Sequence, residues 1–207
     1  MMTFDCLIIG GSVAGISCGL ILGSAHKKPF MADKKIGIIA HQRASALQDA
    51  LFNNAYGIPA GTLGKDILAY TTQQIKDVYP HIELIENQKI TSINSMGAAL
   101  FEVHSNNDTV YYAKNVVIAV GNTNLFHIEG LMHYVEPHQK SIASKNRIQL
   151  KNTDHLVAPG IYVAGTLAGH RSQLAIAAGS GAAVGTDLMV KFNDGNETQS
   201  HDSIKKV

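Results

Sequence analysis

Small residues near the start of the chain have the spacing of a phosphate-binding turn. Gly10, Ser12 and Gly15 fill the three positions of a GxGxxG pattern, with serine where the second glycine is expected. That second position must let a pyrophosphate approach the backbone, so only a small side chain is tolerated there. The N–H groups at the start of a helix also favour an anionic phosphate. The pattern therefore predicts a dinucleotide site, and the alternative is a glycine-rich turn without chemical use.

A carboxylate further along the chain would support this prediction. The dinucleotide fingerprint carries an acidic residue about 20 positions on, at the end of the second strand, where it binds the ribose hydroxyls. Asp33 has this spacing and ends the segment 28–33. We therefore expect a strand that ends at Asp33. Under the alternative, Asp33 is a solvated loop charge.

Hydrophobic patterning predicts the elements that would position these residues. Cys6–Ile9 is apolar without polar alternation, which predicts a strand buried on both faces, and a helical pattern follows from Ala14. Residues 116–121 and 160–166 are also apolar runs that end in small residues. Such runs are typical of buried strands whose carboxyl ends face a ligand.

The remaining segments carry weaker patterns. The sequence predicts a helical turn or two within 45–53, a helix over 62–78 capped by Thr62, strands over 81–86 and 89–94, a β-hairpin around 106–108, a brief strand at 147–150 and a helix over 173–190. Together these elements predict an α/β fold with a central parallel sheet and helices.

Composition narrows the function further. The chain has 17 Lys and Arg against 16 Asp and Glu, so it offers no electrostatic case for nucleic acid or an anionic membrane surface. Its two cysteines, Cys6 and Cys18, form no CxxC pair, and we expect both to be buried as small apolar residues. The sequence shows neither a secretory signal nor the roughly 20 apolar residues of a membrane span. We therefore expect a cytoplasmic protein.

Four motifs, in order along the chain, carry a family resemblance. They are residues 10–15 (GGSVAG), Asp33, residues 116–121 (VVIAVG) and residues 160–187, which contain GIYVAGT and SQLAIAAGSGAAVGTD. The set resembles the FAD-binding part of the low-molecular-weight thioredoxin reductase family, within the pyridine nucleotide-disulfide oxidoreductases. The resemblance covers residues 4–189. It implies a Rossmann-like FAD-binding fold with a small antiparallel β layer over residues 100–118, one domain over residues 1–190 and, by analogy with relatives, a homodimer. The end of the chain is polar and rich in turn residues, which predicts a flexible tail over 191–207.

The resemblance also assigns contacts to FAD, which would be held non-covalently. By position in the family motifs, the contacts would be Gly10, Gly11, Ser12, Ala14 and Gly15 at the pyrophosphate, Asp33 and Lys34 at the adenosine ribose, Ile90 at adenine, Ala119, Val120 and Gly121 against the cofactor, Gly165 and Thr166 at the ribityl chain, and Gln173 and Leu174 at the flavin ring. A helix that starts at the flavin ring would stabilise negative charge on the reduced ring.

The sequence departs from the family pattern in four ways. Thr166 replaces the aspartate that bonds the ribityl chain, so a charge-assisted hydrogen bond becomes a neutral one, weaker by about 1 kcal/mol. Arg171 lies one residue earlier than the family's arginine and is not expected to contact the flavin. The redox-active CxxC is missing. Segments 125–131 and 147–159 resemble the linkers to the family's NADPH domain, but a strand–helix–strand unit of roughly 30 residues does not fit between them. We therefore expect that domain to be absent and residues 125–158 to be a shortened connection.

Three functions remain open at this stage. The first is an FAD-dependent oxidoreductase without its own dithiol or NADPH domain, reduced by a separate reductase or electron-donor protein, by its substrate or by weakly bound nicotinamide. The second is a non-catalytic FAD-binding redox carrier, sensor or subunit of a larger flavoenzyme, and the third is a relic that has lost the cofactor. No catalytic residue is identified, since His133, Tyr134, His138 and His170 could act as acid or base or be solvated loop residues.

Overall fold

The computed structural model describes residues 3–41, 45, 47–97 and 99–200. Its strands, in chain order, are β1 (Thr3–Phe4), β2 (Cys6–Ile9), β3 (Ile36–Ala40), β4 (Leu51–Phe52), β5 (Thr62–Leu63), β6 (Glu83–Glu86), β7 (Ile90–Ser95), β8 (Phe101–Ser105), β9 (Val110–Ala113), β10 (Val116–Ile118), β11 (Val135–Pro137), β12 (Ile148–Leu150), β13 (Leu156–Ala158) and β14 (Ile161–Val163). Its α-helices are α1 (Val13–Ser24), α2 (Gly64–Val78) and α3 (Leu174–Phe192). Within the described residues, no helix is long and apolar enough to cross a membrane.

A six-stranded sheet forms the centre of the fold, in the order β13–β14–β10–β2–β3–β6. The strands from β14 to β6 are parallel, and β13 pairs antiparallel with β14 at one side. All residues of β2, β3 and β10 are buried, because both faces of the sheet are covered. The strands predicted at Cys6–Ile9 and within residues 116–121 are thus confirmed.

A second sheet, ordered β1–β9–β8–β7, covers one face of the central sheet. β7, β8 and β9 are antiparallel neighbours, and the turn between β8 and β9 contains Asp108 at a φ of 63°. The core between the two sheets includes Phe4, Leu7, Phe101 and Val116. These observations confirm the predicted hairpin, the small antiparallel layer and the α/β fold class.

Helices α1 and α3 pack against the opposite face of the central sheet. The core on this side includes Cys6, Cys18 and Leu188. The two helices approach closely because small residues face each other, and a Cβ built on Gly181 would lie only 1.9 Å from the Ala14 carbonyl oxygen. Both cysteines are fully buried, as predicted, and burial raises the pKa of each thiol.

Two local predictions before α2 are wrong. The N-cap of α2 is Leu63, whereas Thr62 lies in β5 and its Oγ1 donates to the Pro59 carbonyl oxygen (2.7 Å). Residues 47–49 form a turn followed by β4, in place of the helical turns predicted within 45–53. Both differences arise because β4 and β5 pair as a short hairpin. Local patterning does not reveal that pairing, although it does predict α2 itself.

The segment predicted as the second parallel strand is not a strand. Pro29–Met31 forms a 3₁₀ turn, and the strand begins only at Ile36. Proline fixes φ near the helical value and has no N–H to donate to a sheet, which favours the turn. Asp33 therefore precedes the strand that it was expected to end.

The connection from β10 to β14 is short, and the structure describes all of its residues. Residues 119–160 contain 3₁₀ turns at Met132–Tyr134 and Ala143–Lys145, the β11–β12 hairpin and β13. They contain no α-helix, and so this part of the chain holds no strand–helix–strand unit for a nicotinamide nucleotide. The brief strand predicted at 147–150 is confirmed as β12.

Candidate functional site

The carboxyl ends of three neighbouring strands meet at one edge of the central sheet. The Ala119 N–H donates to the Ile9 carbonyl oxygen (2.8 Å), and the Ala164 N–H donates to the Ile118 carbonyl oxygen (2.9 Å). These bonds align the residues that follow β2, β10 and β14, and the turn that starts at Gly10 joins them there. Ligands of open α/β sheets bind outside this edge, and we call it the carboxyl edge.

The glycines of the predicted phosphate-binding turn are required by backbone packing. Gly10 has a φ of +126°, and a Cβ built on it would lie 2.3 Å from the Ala119 carbonyl oxygen. A Cβ on Gly15 would lie 1.8 Å from the Gly10 carbonyl oxygen. Ser12 has extended backbone (φ −109°, ψ −163°), and its Oγ lies 2.9 Å from Ser45 Oγ. Serine is therefore accommodated at the second position without backbone strain.

Two helix N-termini face this edge without a compensating side chain. Neither the N-cap of α1, Ser12, nor the N-cap of α3, Gln173, makes a side-chain capping bond, and neither first turn contains an acidic residue. Gly181 of α3 contacts Ala14 near the start of α1, and Leu174 begins α3 seven residues earlier. Helix α3 therefore extends about 10 Å beyond that contact. Both helix dipoles favour an anion or a developing negative charge here.

The residues after β10 and β14 line the same edge. Gly121 has a φ of +85°, and no atom lies within 4 Å of a Cβ built on it. The positive φ therefore favours glycine at this position. The space beside Gly121 is open, and the neighbouring Val120 is half-exposed. Gly165 has a φ of +76° and begins the 3₁₀ turn Gly165–Ala168, which holds Thr166. A Cβ on Gly165 would lie 3.0 Å from Ala14 Cβ, so this turn also adjoins the start of α1.

Asp33 and Lys34 do not lie at the carboxyl edge. β2 and β3 are parallel with Cys6 opposite Ile36, so both predicted ribose contacts precede β3 at the other end of the sheet. The length of β3 alone separates the two edges by about 13 Å. The residue that does follow β3 is the exposed His41. The prediction for Asp33 and Lys34 is therefore wrong, because it placed the strand too early.

The predicted adenine contact, Ile90, lies just beyond the carboxyl edge. It begins β7, is 3% exposed and pairs with Ser105. The connection before it reaches the edge, since the Gln88 N–H lies 3.4 Å from the Ala40 carbonyl oxygen. The Tyr111 hydroxyl donates to Gln88 Oε1 (2.6 Å) and fixes this connection.

A histidine cluster beside the Gly165 turn was only partly anticipated. His155 Nε2 lies 3.0 Å from Ser180 Oγ and 3.2 Å from His170 Nε2. Neither His155 nor Ser180 was singled out from the sequence, because they lie 25 positions apart and share no motif. The available signal was a serine inside an otherwise Ala- and Gly-rich helix. Burial, followed by the nearby His155, lowers the pKa of His170.

His138 is a structural residue in this arrangement. It is 7% exposed, its Nδ1 accepts the Lys140 N–H (3.1 Å), and its Nε2 lies 3.1 Å from the Thr166 carbonyl oxygen. The acceptor role of Nδ1 assigns the ring proton to Nε2, which donates to the turn. His133 is exposed and contacts Tyr134, with ring centroids 3.9 Å apart and the ring planes tilted by 42°. Of the four acid–base candidates, only His170 therefore combines partial burial with a titratable ring at this turn.

Comparisons with known proteins agree with this architecture. Residues 4–160 match the sequence family described as pyridine nucleotide-disulphide oxidoreductase. The chain is similar to ferredoxin–NADP reductase 1 of Oceanobacillus iheyensis, with 22% identity over 161 residues that cover 76% of this chain and 41% of the relative. The corresponding protein of Listeria monocytogenes serotype 4b is 24% identical over 119 residues, covering 58% of this chain and 35% of the relative. The chain thus spans less than half the length of these curated relatives.

Solved structures share the fold at low sequence identity. A thioredoxin reductase from Gloeobacter violaceus has a TM-score of 0.72 and 12% identity, with 99% of both chains covered. An oxidoreductase from Agrobacterium tumefaciens has a TM-score of 0.70 and 17% identity, covering 94% of this chain and 100% of that one. A ferredoxin-flavin thioredoxin reductase from Clostridium acetobutylicum has a TM-score of 0.67 and 15% identity, covering 94% and 99%. These similarities establish the fold.

Proposed function

Because the chain belongs to the pyridine nucleotide-disulphide oxidoreductase family, we propose that it binds FAD non-covalently at the carboxyl edge and is a flavin-dependent oxidoreductase. The observation that carries the proposal is the convergence of the Gly10 turn, the Gly165 turn and two uncapped helix N-termini at one edge. FAD would supply the transfer of electrons, and the chain would supply placement and electrostatics.

The residues present fit most of an FAD molecule. We assign Gly10, Gly11, Ser12, Ala14 and Gly15 to the pyrophosphate, Ala119, Val120 and Gly121 to the adjoining wall, Gly165 and Thr166 to the ribityl chain, Gln173 and Leu174 to the flavin ring, and the segment leading to Ile90 to adenine. The adenosine ribose would be held without the family's carboxylate, since no acidic residue occurs in residues 41–48. The turn, the open space beside Gly121 and the dipoles of α1 and α3 support this assignment.

The proposed electron path leads outside the chain. Cys6 and Cys18 lie in the helix-side core with raised thiol pKa values, so neither offers an accessible thiolate. Residues 119–160 supply no nucleotide-binding unit. We therefore propose a separate reductase or electron-donor protein, or nicotinamide that binds without a domain of its own. We also propose, on family analogy, a homodimer in the cytoplasm, for which light scattering at micromolar concentration is the test of assembly.

A second candidate function is a non-catalytic FAD-binding carrier, sensor or subunit of a larger flavoenzyme. It is favoured by the apolar exposure at the proposed flavin end of the site. Ile176, in the first turn of α3, is 40% exposed. A partner protein that docked on this side chain would approach the flavin directly.

Reconstitution followed by reduction tests both candidates. The purified protein is incubated with excess FAD, desalted and examined for a flavin absorbance band. Protein that retains no flavin would refute both functions. For flavin-loaded protein, anaerobic addition of NADPH or NADH should bleach the band if the chain is an enzyme that accepts hydride. Bleaching only by a reduced partner protein would instead favour the carrier.

A further inference from the structure

The turn at residues 165–169 is held on one side by a chain of polar contacts. The Gly165 N–H donates to Ser180 Oγ (2.8 Å), which lies 3.0 Å from His155 Nε2. His155 Nε2 also lies 3.2 Å from His170 Nε2, and we call these two residues the histidine pair. Ser180 is 6% exposed and the His155 side chain is 11% exposed, so water competes little for these bonds. The turn backbone is thus connected to two facing imidazoles.

The facing nitrogens limit how many protons the histidine pair can hold. A neutral imidazole has one N–H donor and one bare nitrogen, whereas an imidazolium has two donors and no acceptor. A hydrogen bond between the two Nε2 atoms therefore requires one of them to be bare. The pair keeps its contact when both rings are neutral or when one extra proton is present. A second extra proton places two N–H groups against each other and breaks the contact.

The surroundings of the histidine pair bear on a second extra proton. On the β13 side, Asp154 Oδ1 lies 4.0 Å from the outer nitrogen, Nδ1, of His155. Burial is the largest cause that disfavours a charge on His170, and His155, with Lys140 and His138 on the β11–β12 side, adds to it. A second extra proton on the histidine pair is therefore opposed.

We propose that His155 and His170 are positioning residues that form a proton-sensitive clamp on the 165–169 turn. The turn keeps its conformation while the histidine pair holds at most one extra proton, and cofactor binding weakens when the second proton enters. This inference rests on the proposed function, in which Gly165 and Thr166 contact the ribityl chain. Both histidines act through Ser180 and the turn, and neither is a catalytic residue.

FAD affinity as a function of pH tests the clamp. Dissociation constants are measured by flavin fluorescence from about pH 8 down to about pH 5 for the wild type, His170→Gln and His26→Gln. Glutamine keeps an amide donor and acceptor at position 170 but does not titrate. His26 is the matched control, because it faces His81 in a second histidine pair (ring centroids 4.3 Å apart) beyond the far end of α1.

The wild type should lose affinity toward acid pH relative to His170→Gln, with the ratio of dissociation constants growing by up to about tenfold per pH unit. His26→Gln should follow the wild type. Parallel curves for the wild type and His170→Gln would overturn the inference. A folded His170→Gln protein that binds no FAD at about pH 8 would also overturn it, because His170 would then contact the cofactor itself.

Two further measurements keep the test independent of one variant. Ser180→Ala removes the link between the histidine pair and Gly165, so it should weaken FAD binding at every pH and flatten the pH dependence. In the apoprotein, the Gly165 N–H signal followed by NMR should shift toward acid pH in the wild type and stay constant in His170→Gln. A protein that shows this shift but never binds FAD would refute the proposed function. FAD binding that is equally pH-dependent in all variants would refute this inference alone.

Discussion

Alanine at Gly165, compared with alanine at Gly57, separates local backbone cost from the packing of the proposed cofactor turn. The two glycines have nearly the same φ, +76° and +75°, so alanine costs about 1 kcal/mol for conformation at either position. At Gly57 nothing lies within 4 Å of the added Cβ, whereas at Gly165 it would lie 3.0 Å from Ala14 Cβ. Ala14 has little freedom to retreat, because its carbonyl oxygen packs against Gly181.

Overpacking at such a contact adds roughly 1 to 3 kcal/mol. Gly165→Ala should therefore lower the free energy of unfolding by about 2 to 4 kcal/mol, and Gly57→Ala by about 1 kcal/mol. Urea denaturation monitored by circular dichroism measures both values. Flavin fluorescence should show at least about tenfold weaker FAD binding for Gly165→Ala only, since a displaced turn costs at least about 1.4 kcal/mol of binding free energy. Equal destabilisation of the two variants, with equal FAD affinity, would refute the argument that this turn is packed against α1 to form the site.

Four other expectations follow from the structure. Thr166→Asp should tighten FAD binding about fivefold by restoring a charge-assisted hydrogen bond, whereas Thr166→Asn should not; equal affinities by calorimetry would contradict the ribityl assignment. Asp33→Asn should leave FAD affinity unchanged, because Asp33 lies at the other end of the sheet. A marked loss of FAD affinity would show that Asp33 contacts the cofactor after all. Burial lowers the pKa of His170 from 6.5, so its contribution to the free energy of unfolding is complete above about pH 6.5 and declines as the pH falls below that value. The free energy of unfolding, measured by urea denaturation at a series of pH values below about 6.5, should therefore decline less steeply for His170→Gln than for the wild type. Cys6 and Cys18 should resist a thiol reagent in the native protein and react fully in denaturant, because burial raises the pKa of both thiols and blocks access, and rapid native labelling would contradict this.

The sequence predicted the structure best at positions where the backbone conformation or packing admits only one residue type. The glycines at positions 10 and 15 and the runs that end in small residues predicted the turn and the strand ends, because close approach and positive φ leave few alternatives. The prediction for Asp33 was wrong because a spacing of about 20 residues does not determine where the strand starts. Pro29–Met31 forms a 3₁₀ turn, and the strand begins only at Ile36.

Features that depend on tertiary pairing were beyond local pattern. Thr62 was predicted as an N-cap, but it lies in β5, which pairs with β4, and the N-cap of α2 is Leu63. The contact between His155 and Ser180 forms because β13 pairs antiparallel with β14 and the residue just before β13 lies beside α3. His138 looked like a solvated loop residue, but its two ring nitrogens join the β11–β12 hairpin to the Gly165 turn. Each of these residues obtains its role from a partner distant in sequence.

The β11–β12 hairpin gives the chain a modular junction. Its strands are antiparallel neighbours, with Val135 opposite Leu150 and Pro137 opposite Ile148, so the polypeptide leaves and re-enters the body of the protein at adjacent points. An insertion whose own ends lie close together can be accommodated between such points without spreading the strands on either side. A whole folding unit can therefore be gained or lost at the tip of this hairpin while the order of the central strands stays the same.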